Sequence, residues 1–229
     1  MWIKICANTN LEDALLACEL GADAVGFVFA PSKRQVTPEQ VAAITVHLPP
    51  AVAKIGVFQT HDAAEILSAV RTAGLTGVQL HGAMNTTLAQ QVREGLGPSE
   101  DRLRLLQVVH WWTDVEGDVQ RDAFAAELAE ATRSAVVDAV LVDSRTRAAS
   151  GGTGVAFDWR AAAPVIADVH VRTVIAGGLT PLNVAKAVST LRPFGVDVAS
   201  GVEATPGRKD AAKLMSFLHN ARAADRASL

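Results

Sequence analysis

Short apolar segments alternate along the chain with longer segments of helical periodicity. We count eight short segments, at 2–6, 24–29, 51–58, 77–80, 104–109, 139–143, 172–177 and 196–200. Each is apolar at successive positions, which is typical of parallel strands that are buried on both faces. The pattern therefore predicts eight parallel strands.

The segments between these strands place their apolar side chains on one face of a helix. In 10–21 that face consists of Leu11, Ala14, Leu15 and Cys18. The same periodicity recurs at 37–48, 61–74, 122–135 and 180–191, where Thr180 and Pro181 predict the helix start. Eight strand-helix units predict an α/β protein with the TIM (β/α)8 barrel fold. A doubly wound open sheet is the alternative, but "CANTN" lacks the glycine-rich turn that such a sheet carries after its first strand.

Length and composition predict a single domain over residues 1–229. A chain of this size with 49% hydrophobic residues can bury one large core. The segment 84–121 is the least regular, and we interpret it as elaborated connections within that domain.

The charge pattern argues against several classes of partner. A net charge of −3 without a long basic run makes nucleic acid an unsuitable partner. No stretch approaches the roughly 18 consecutive apolar residues that span a bilayer, and the N-terminus lacks a secretory leader. We therefore expect a cytoplasmic protein without a membrane partner, as a monomer or a homodimer. Two cysteines, Cys6 and Cys18, form neither a disulfide framework nor a zinc motif, so we expect no metal.

Polar residues at the ends of the predicted strands are the candidates for chemistry, because a TIM barrel builds its active site there. Cys6 follows the first strand, Arg34 the second and His81 the fourth, and Asp143 ends the sixth. Glycine-rich turns lie at 150–154, 176–180 and 199–203, and the last two follow the seventh and eighth strands. Backbone amides at that position commonly bind phosphate. The pattern thus predicts a small phosphorylated ligand, with binding residues Gly152, Gly154, Gly177, Gly178, Ser200 and Gly201.

Each candidate side chain also has a simpler interpretation. Cys6 can be a small buried hydrophobic residue. Asp143, at the end of an apolar run, can be a general acid of raised pKa or a cap for the following turn. Arg34 can bind a planar carboxylate or be a solvated loop charge. His81 can contact a ligand or cap the end of its strand, and the pair Trp111 and Trp112 suggests local packing.

Seven segments in order resemble the phosphoribosylanthranilate isomerase family over nearly the whole chain: "KIC..TNLEDAL", in which the dots stand for residues 7 and 8, "GADAVGFVFAPSKRQVTPE", "VQLHG", "LVDS", "GGTGVAFDW", "AGGLTPLNV" and "FGVDVASGVEATPGRKD". The resemblance implies a cofactor-free Amadori rearrangement in tryptophan biosynthesis. The substrate would be N-(5-phosphoribosyl)anthranilate and the product 1-(2-carboxyphenylamino)-1-deoxy-D-ribulose 5-phosphate.

The same resemblance assigns roles to the candidate residues. Asp143 would protonate the furanose ring oxygen, and Cys6 as a thiolate would remove the proton from carbon 2 of the sugar. Arg34 would hold the anthranilate carboxylate, whereas His81 and Asp197 match positions near the pocket without a defined role. A thiol with an ordinary pKa of about 8.5 needs only modest electropositive help to act as this base.

One departure from the family pattern follows the cysteine directly. Family members generally have glycine there and then an apolar residue, whereas this chain has Ala7 and Asn8. If the position requires a positive φ, Ala7 costs about 1 kcal/mol. The departure leaves two alternatives open. One is a related barrel isomerase of the ProFAR type acting on another phosphosugar, and the other is a protein that binds the ligand without turning it over.

Overall fold

Eight parallel strands close into a barrel in the computed structural model, which describes residues 1–97, 103–115, 117–133, 135–145 and 156–227. Each strand pairs with its neighbours in sequence order, and the eighth pairs with the first. The strands are β1 Trp2–Ile5, β2 Ala24–Val28, β3 Ala53–Phe58, β4 Gly77–Leu80, β5 Leu105–Trp112, β6 Ala139–Arg145, β7 Arg172–Ile175 and β8 Gly195–Val198. The predicted TIM barrel is confirmed.

A helix follows each strand and packs against the outside of the barrel. The helices are α1 Leu11–Glu19, α2 Pro38–Thr45, α3 Ala63–Ala73, α4 Thr86–Leu96, α5 Gly117–Arg133, α6 Trp159–Ala167, α7 Val184–Leu191 and α8 Ala211–Ala227. A short 3-10 helix at Ser200–Val202 and a hairpin of β9 Glu203–Thr205 and β10 Arg208–Lys209 separate β8 from α8. The segment 84–121 contains α4, β5 and the first residues of α5, so most of its described residues belong to helices or strands. No described helix is both long and apolar enough to cross a membrane.

Local sequence explains where several helices begin. The side chain of Asn10 accepts a hydrogen bond from the backbone of Asp13, and Thr37 forms a capping box with Gln40. The predicted start of the seventh helix at Thr180 is wrong. The Asn183 side chain accepts from the Thr180 backbone at 2.8 Å and donates to the Gly178 carbonyl, so 180–183 form a turn and the helix begins afterwards.

The strands bury two sets of side chains because successive residues point to opposite faces. Outward-facing residues such as Ile3 and Ile5 join the large core beneath the helices. Inward-facing residues fill the barrel, and most of them are small or branched, as at Ala24, Ile55 and Leu141. Part of this interior is polar instead, consisting of Lys4, Gln79 and Asp197. Each residue of this polar layer lies one residue before the C-terminal end of its strand, β1, β4 or β8.

Strands β5 and β6 run further than the sequence pattern predicts. They end at Trp112 and Arg145, and their register pairs His110 with Asp143. The extension brings a histidine beside the candidate acid. Trp111 packs on Phe124 with ring centroids 5.2 Å apart, which agrees with a packing role.

Candidate active site

An open pocket of about 610 Å³ lies at the C-terminal ends of the barrel strands. It brings together nine of the sequence-predicted residues: Cys6, Arg34, His81, Asp143, Gly177, Gly178, Asp197, Ser200 and Gly201. Gly152 and Gly154 lie outside the described residues. Since these nine come from distant parts of the sequence, the fold itself assembles the candidate site.

Cys6 follows β1 directly and lines the pocket while remaining only 6% exposed. Its backbone N–H donates to the Val198 carbonyl at 2.8 Å, which fixes the residue between β1 and β8. The sulfur lies over Gly26, where an added Cβ would be 2.7 Å from Sγ. Burial raises the pKa of the Cys6 thiol, although the charges of Lys4 and Lys209 lower it. The two lysines supply the expected positive charge, but they lower the pKa of the thiol by less than burial raises it.

The turn after Cys6 explains how the chain accommodates Ala7 and Asn8. Ala7 has a φ of 61° and is 1% exposed, so it occupies the left-handed region that favours glycine. The buried Asn8 amide donates to the carbonyls of Ile5 at 2.8 Å and Gly26 at 3.2 Å. These bonds tie the turn to β1 and β2, and they hold the unfavourable backbone conformation in place.

Asp143 lies on the inner face of β6 and is half-buried at the pocket. Burial raises the pKa of its carboxyl to about 6, and the neighbouring His110 partly opposes this rise. Gly177 packs directly against Ser144 and the Asp143 carboxylate, leaving no room there for a side chain. The raised pKa is suited to a general acid near neutral pH. The alternative role as a turn cap concerns residues after 145, outside the described ranges.

Arg34 is held by a carboxylate rather than left as a solvated loop charge. Its Nε donates to both oxygens of Glu203 at 2.8 and 3.0 Å, and its Nη2 donates to Oε2 at 2.6 Å. Burial opposes ionisation of Glu203, yet the Arg34 hydrogen bonds and the Lys209 charge keep its pKa below the usual range. Glu203 occupies the Nε edge of the guanidinium, so Nη1 remains directed away from this pair. Sequence analysis missed Glu203, which lies 169 residues from Arg34.

His81 lines the pocket as a neutral imidazole. Burial, followed by the charge of His110, lowers its pKa to about 4. Its ring meets His110 edge-on with centroids 5.6 Å apart. His81 Nδ1 is buried and has no hydrogen-bond partner among the described residues, which supports ligand contact over capping. His110 was missed because its strand was predicted to end at 109.

Lys4 is a second residue that sequence analysis missed, and it lies beneath the pocket in the polar layer. Its Nζ donates to Gln79 Oε1 at 2.7 Å and to Asp197 Oδ2 at 2.8 Å. The other Asp197 oxygen, Oδ1, is buried without a partner in the described structure, and Asp197 lines the pocket. A lysine inside the apolar run "WIKIC" was the available signal. Its partners are 75 and 193 residues away, so the pattern alone did not identify them.

The two glycine-rich turns after β7 and β8 form one wall of the pocket. Gly177 and Gly178 have φ values of 75° and 63°, which place their backbone in the left-handed region. A side chain at Gly201 would collide with the Leu179 carbonyl, so the second turn packs directly on the first. Close backbone packing of this kind is suited to binding a phosphate through N–H groups. Within the described ranges, no three His, Cys, Asp or Glu side chains come together as metal ligands.

Comparison with known proteins gives one consistent family. The family model for N-(5'-phosphoribosyl)anthranilate isomerase matches residues 3–220. A relative of that name from Pelobacter propionicus is 42% identical, and the alignment covers 96% of this chain and 95% of the relative.

Two solved structures give the same result. Phosphoribosylanthranilate isomerase from Thermotoga maritima is 37% identical, with a TM-score of 0.80 and coverage of 97% of this chain and 99% of the other. A phosphoribosylanthranilate isomerase in complex with reduced 1-(o-carboxyphenylamino)-1-deoxyribulose 5-phosphate is 36% identical, with a TM-score of 0.78 and the same coverage. The chain belongs to the N-(5'-phosphoribosyl)anthranilate isomerase family.

Proposed function

We propose that the protein converts N-(5-phosphoribosyl)anthranilate to 1-(2-carboxyphenylamino)-1-deoxy-D-ribulose 5-phosphate by acid-base catalysis without a cofactor. The observation that carries this proposal is the presence of Cys6 and Asp143 in one pocket, on strands that are not neighbours. A sugar held between them can therefore be reached by a base and an acid at the same time. Family membership supports the same reaction.

The pocket offers a contact for each end of this substrate. The glycine-rich turns after β7 and β8 would bind the phosphate through backbone N–H groups. Arg34 would hold the anthranilate carboxylate with Nη1, because Glu203 already occupies the Nε edge. The unpartnered Oδ1 of Asp197 can accept a hydrogen bond from a sugar hydroxyl, and the neutral imidazole of His81 can accept or donate one. Gly152 and Gly154 stay predicted as further phosphate contacts.

The reaction then needs two proton transfers by the protein. Asp143 gives its proton to the furanose ring oxygen, the bond from that oxygen to carbon 1 breaks, and a protonated Schiff base forms. The Cys6 thiolate takes the proton from carbon 2, and the bonding electrons neutralise the iminium to give an enolamine. Tautomerisation moves the hydroxyl proton of carbon 2 to carbon 1 and yields the ketone. A raised pKa keeps Asp143 partly protonated at neutral pH, as the first step requires.

The loss of anthranilate fluorescence with freshly generated substrate tests this function. We expect turnover in the parent protein and a loss of most turnover in Cys6→Ser and Asp143→Asn. Cys18→Ser is the matched control, since this half-buried thiol lies on α1 and should leave turnover unchanged. Binding of a product analogue without turnover in the parent would overturn the proposal and favour a binding protein. The monomeric or homodimeric state and the cytoplasmic location stay predictions.

A further inference from the structure

The mechanism does not use the ammonium of Lys4, a charged group buried inside the barrel. Its side chain is completely buried in the barrel, where an ion is stable only when it is well paired and hydrogen-bonded. Gln79 and Asp197 accept two of its three N–H donors, at 2.7 and 2.8 Å. The Lys4 side chain also has a neighbour among the proposed catalytic residues.

That neighbour is the Cys6 thiol. Lys4 lies on β1 and Cys6 comes two residues later, directly after the strand, so both side chains point to the inner face of the barrel. A Cβ at Gly26 would be 2.7 Å from Cys6 Sγ and 2.9 Å from Lys4 Cε, so the two side chains pack over the same glycine. At this position the positive charge of Lys4 lowers the pKa of the Cys6 thiol more than any other group does.

We propose that Lys4 is a positioning residue that stabilises the Cys6 thiolate through its buried positive charge, while Gln79 and Asp197 hold the ammonium in place. The inference rests on the proposed role of Cys6 as the base. Lys4 keeps all its protons throughout, and only Cys6 exchanges a proton with the substrate. The carboxylate of Asp197 therefore has two effects: it orients Lys4 and it opposes the thiolate by its own charge.

Lys209 and Arg34 are two other cations near Cys6, and their hydrogen bonds go to acceptors other than the Cys6 sulfur. Lys209 on β10 donates to the Cys6 carbonyl at 2.6 Å, the Ala199 carbonyl at 3.3 Å and Glu203 at 3.4 Å. Arg34 is bound by Glu203. The charge of Lys209 lowers the pKa of the Cys6 thiol less than that of Lys4 does, which leaves Lys4 as the cation with the strongest effect on the thiol.

The pH dependence of Cys6 alkylation by iodoacetamide tests this charge effect without substrate. A Cys18→Ser background leaves Cys6 as the chain's only thiol, since the sequence has two cysteines. We expect Lys4→Met to move the midpoint of the alkylation rate upward by about one pH unit or more, because the cation is lost. The matched control is Lys54→Met, which removes a buried lysine whose Nζ donates to the Pro49 carbonyl at 3.2 Å. It should leave the midpoint unchanged.

Asp197→Asn is the second variant, and the sign of its effect separates charge from general disruption. Losing this carboxylate should move the Cys6 midpoint downward, opposite to the effect of Lys4→Met. An unchanged midpoint in folded Lys4→Met would overturn the proposal. If Lys4→Met does not fold, Lys4→Gln removes the same charge while keeping a side chain that can form hydrogen bonds, and an unchanged midpoint in that variant would overturn the proposal instead.

The two proposals fail separately in this design. Shifted midpoints in a protein without isomerase turnover would refute the proposed function and leave the Lys4 effect standing. Normal turnover with unshifted midpoints would refute the Lys4 effect alone. During turnover, the rate lost in Lys4→Met should also recover partly as the pH rises, because the thiolate fraction increases; a purely structural defect would not recover in this way.

Discussion

Gly26→Ala is the substitution that most directly tests the position of the Cys6 sulfur. An alanine Cβ at this position would be 2.7 Å from Cys6 Sγ, 2.9 Å from Lys4 Cε and 3.2 Å from Cys6 Cα. Real Cβ contacts are essentially never shorter than 3.0 Å and become ordinary at 3.4 Å, so the sulfur must move by about 0.3 to 0.7 Å. The φ of Gly26 is not positive, and alanine therefore adds no backbone strain there.

A displacement of this size should be visible in the rate of catalysis. A misplacement of about 1 Å can cost about 100-fold in rate, so we expect kcat to fall about 10- to 100-fold in Gly26→Ala. That range corresponds to about 1.4 to 2.7 kcal/mol of activation free energy. KM should change less, because the glycine-rich turns and Arg34 would bind the two ends of the substrate as before.

The fluorescence assay of substrate loss measures both constants, and circular dichroism verifies the fold. Gly82→Ala is the matched control, since a Cβ at Gly82 meets nothing within 4 Å. It should behave like the parent protein. A kcat for folded Gly26→Ala within twofold of the parent would refute the argument that catalysis depends on this position of the sulfur.

Three further substitutions test the electrostatics and the backbone of the site. Asp143→Asn should raise the melting temperature at pH 7.5, because the raised pKa of Asp143 means that the native state binds this proton more tightly than the unfolded state. This gain in melting temperature should vanish as the pH falls from 6 to 4. Equal gains at pH 7.5 and pH 4 would contradict the argument. In Ala7→Gly, relief of about 1–2 kcal/mol of left-handed strain opposes about 0.4–1 kcal/mol of backbone entropy and about 0.8 kcal/mol from the lost methyl group. The free energy of unfolding of Ala7→Gly, measured with denaturant, should therefore differ from that of the parent protein by less than about 1 kcal/mol. Glu203→Gln should raise KM about tenfold with little change in kcat, since it loosens Arg34, and an unchanged KM would refute this.

The barrel was predictable because its signal is local. A parallel strand covered on both faces is apolar at every position, and the alternation with helices fixes the fold class. The candidate site followed from the same reasoning, since the residues after parallel strands meet at one end of the barrel. Cys6, Arg34 and Asp143 were found in this way, and all three line the pocket.

The partners of these residues were not predictable, because they depend on contacts across the barrel. Lys4 and Asp197 are 193 residues apart in sequence, and Arg34 and Glu203 are 169 apart. Periodicity describes which face a residue occupies and contains no information about what lies opposite. The helix start at Thr180 was wrong for a local reason, since the Asn183 side chain bonds the backbone of Thr180 and Gly178 in a turn and the helix begins after it.

The polar layer within the barrel is better explained by function than by stability. A buried ion pair gives little net stability, and apolar residues of similar volume are often at least as stabilising. Lys4, Gln79 and Asp197 could therefore be replaced by an apolar layer in a barrel selected for stability alone. Their arrangement, however, packs the Lys4 side chain beside Cys6 over Gly26 and leaves Oδ1 of the pocket-lining Asp197 without a partner in the described structure. Both features concern the candidate base and its ligand, so the charges of this layer act on the chemistry of the pocket above it.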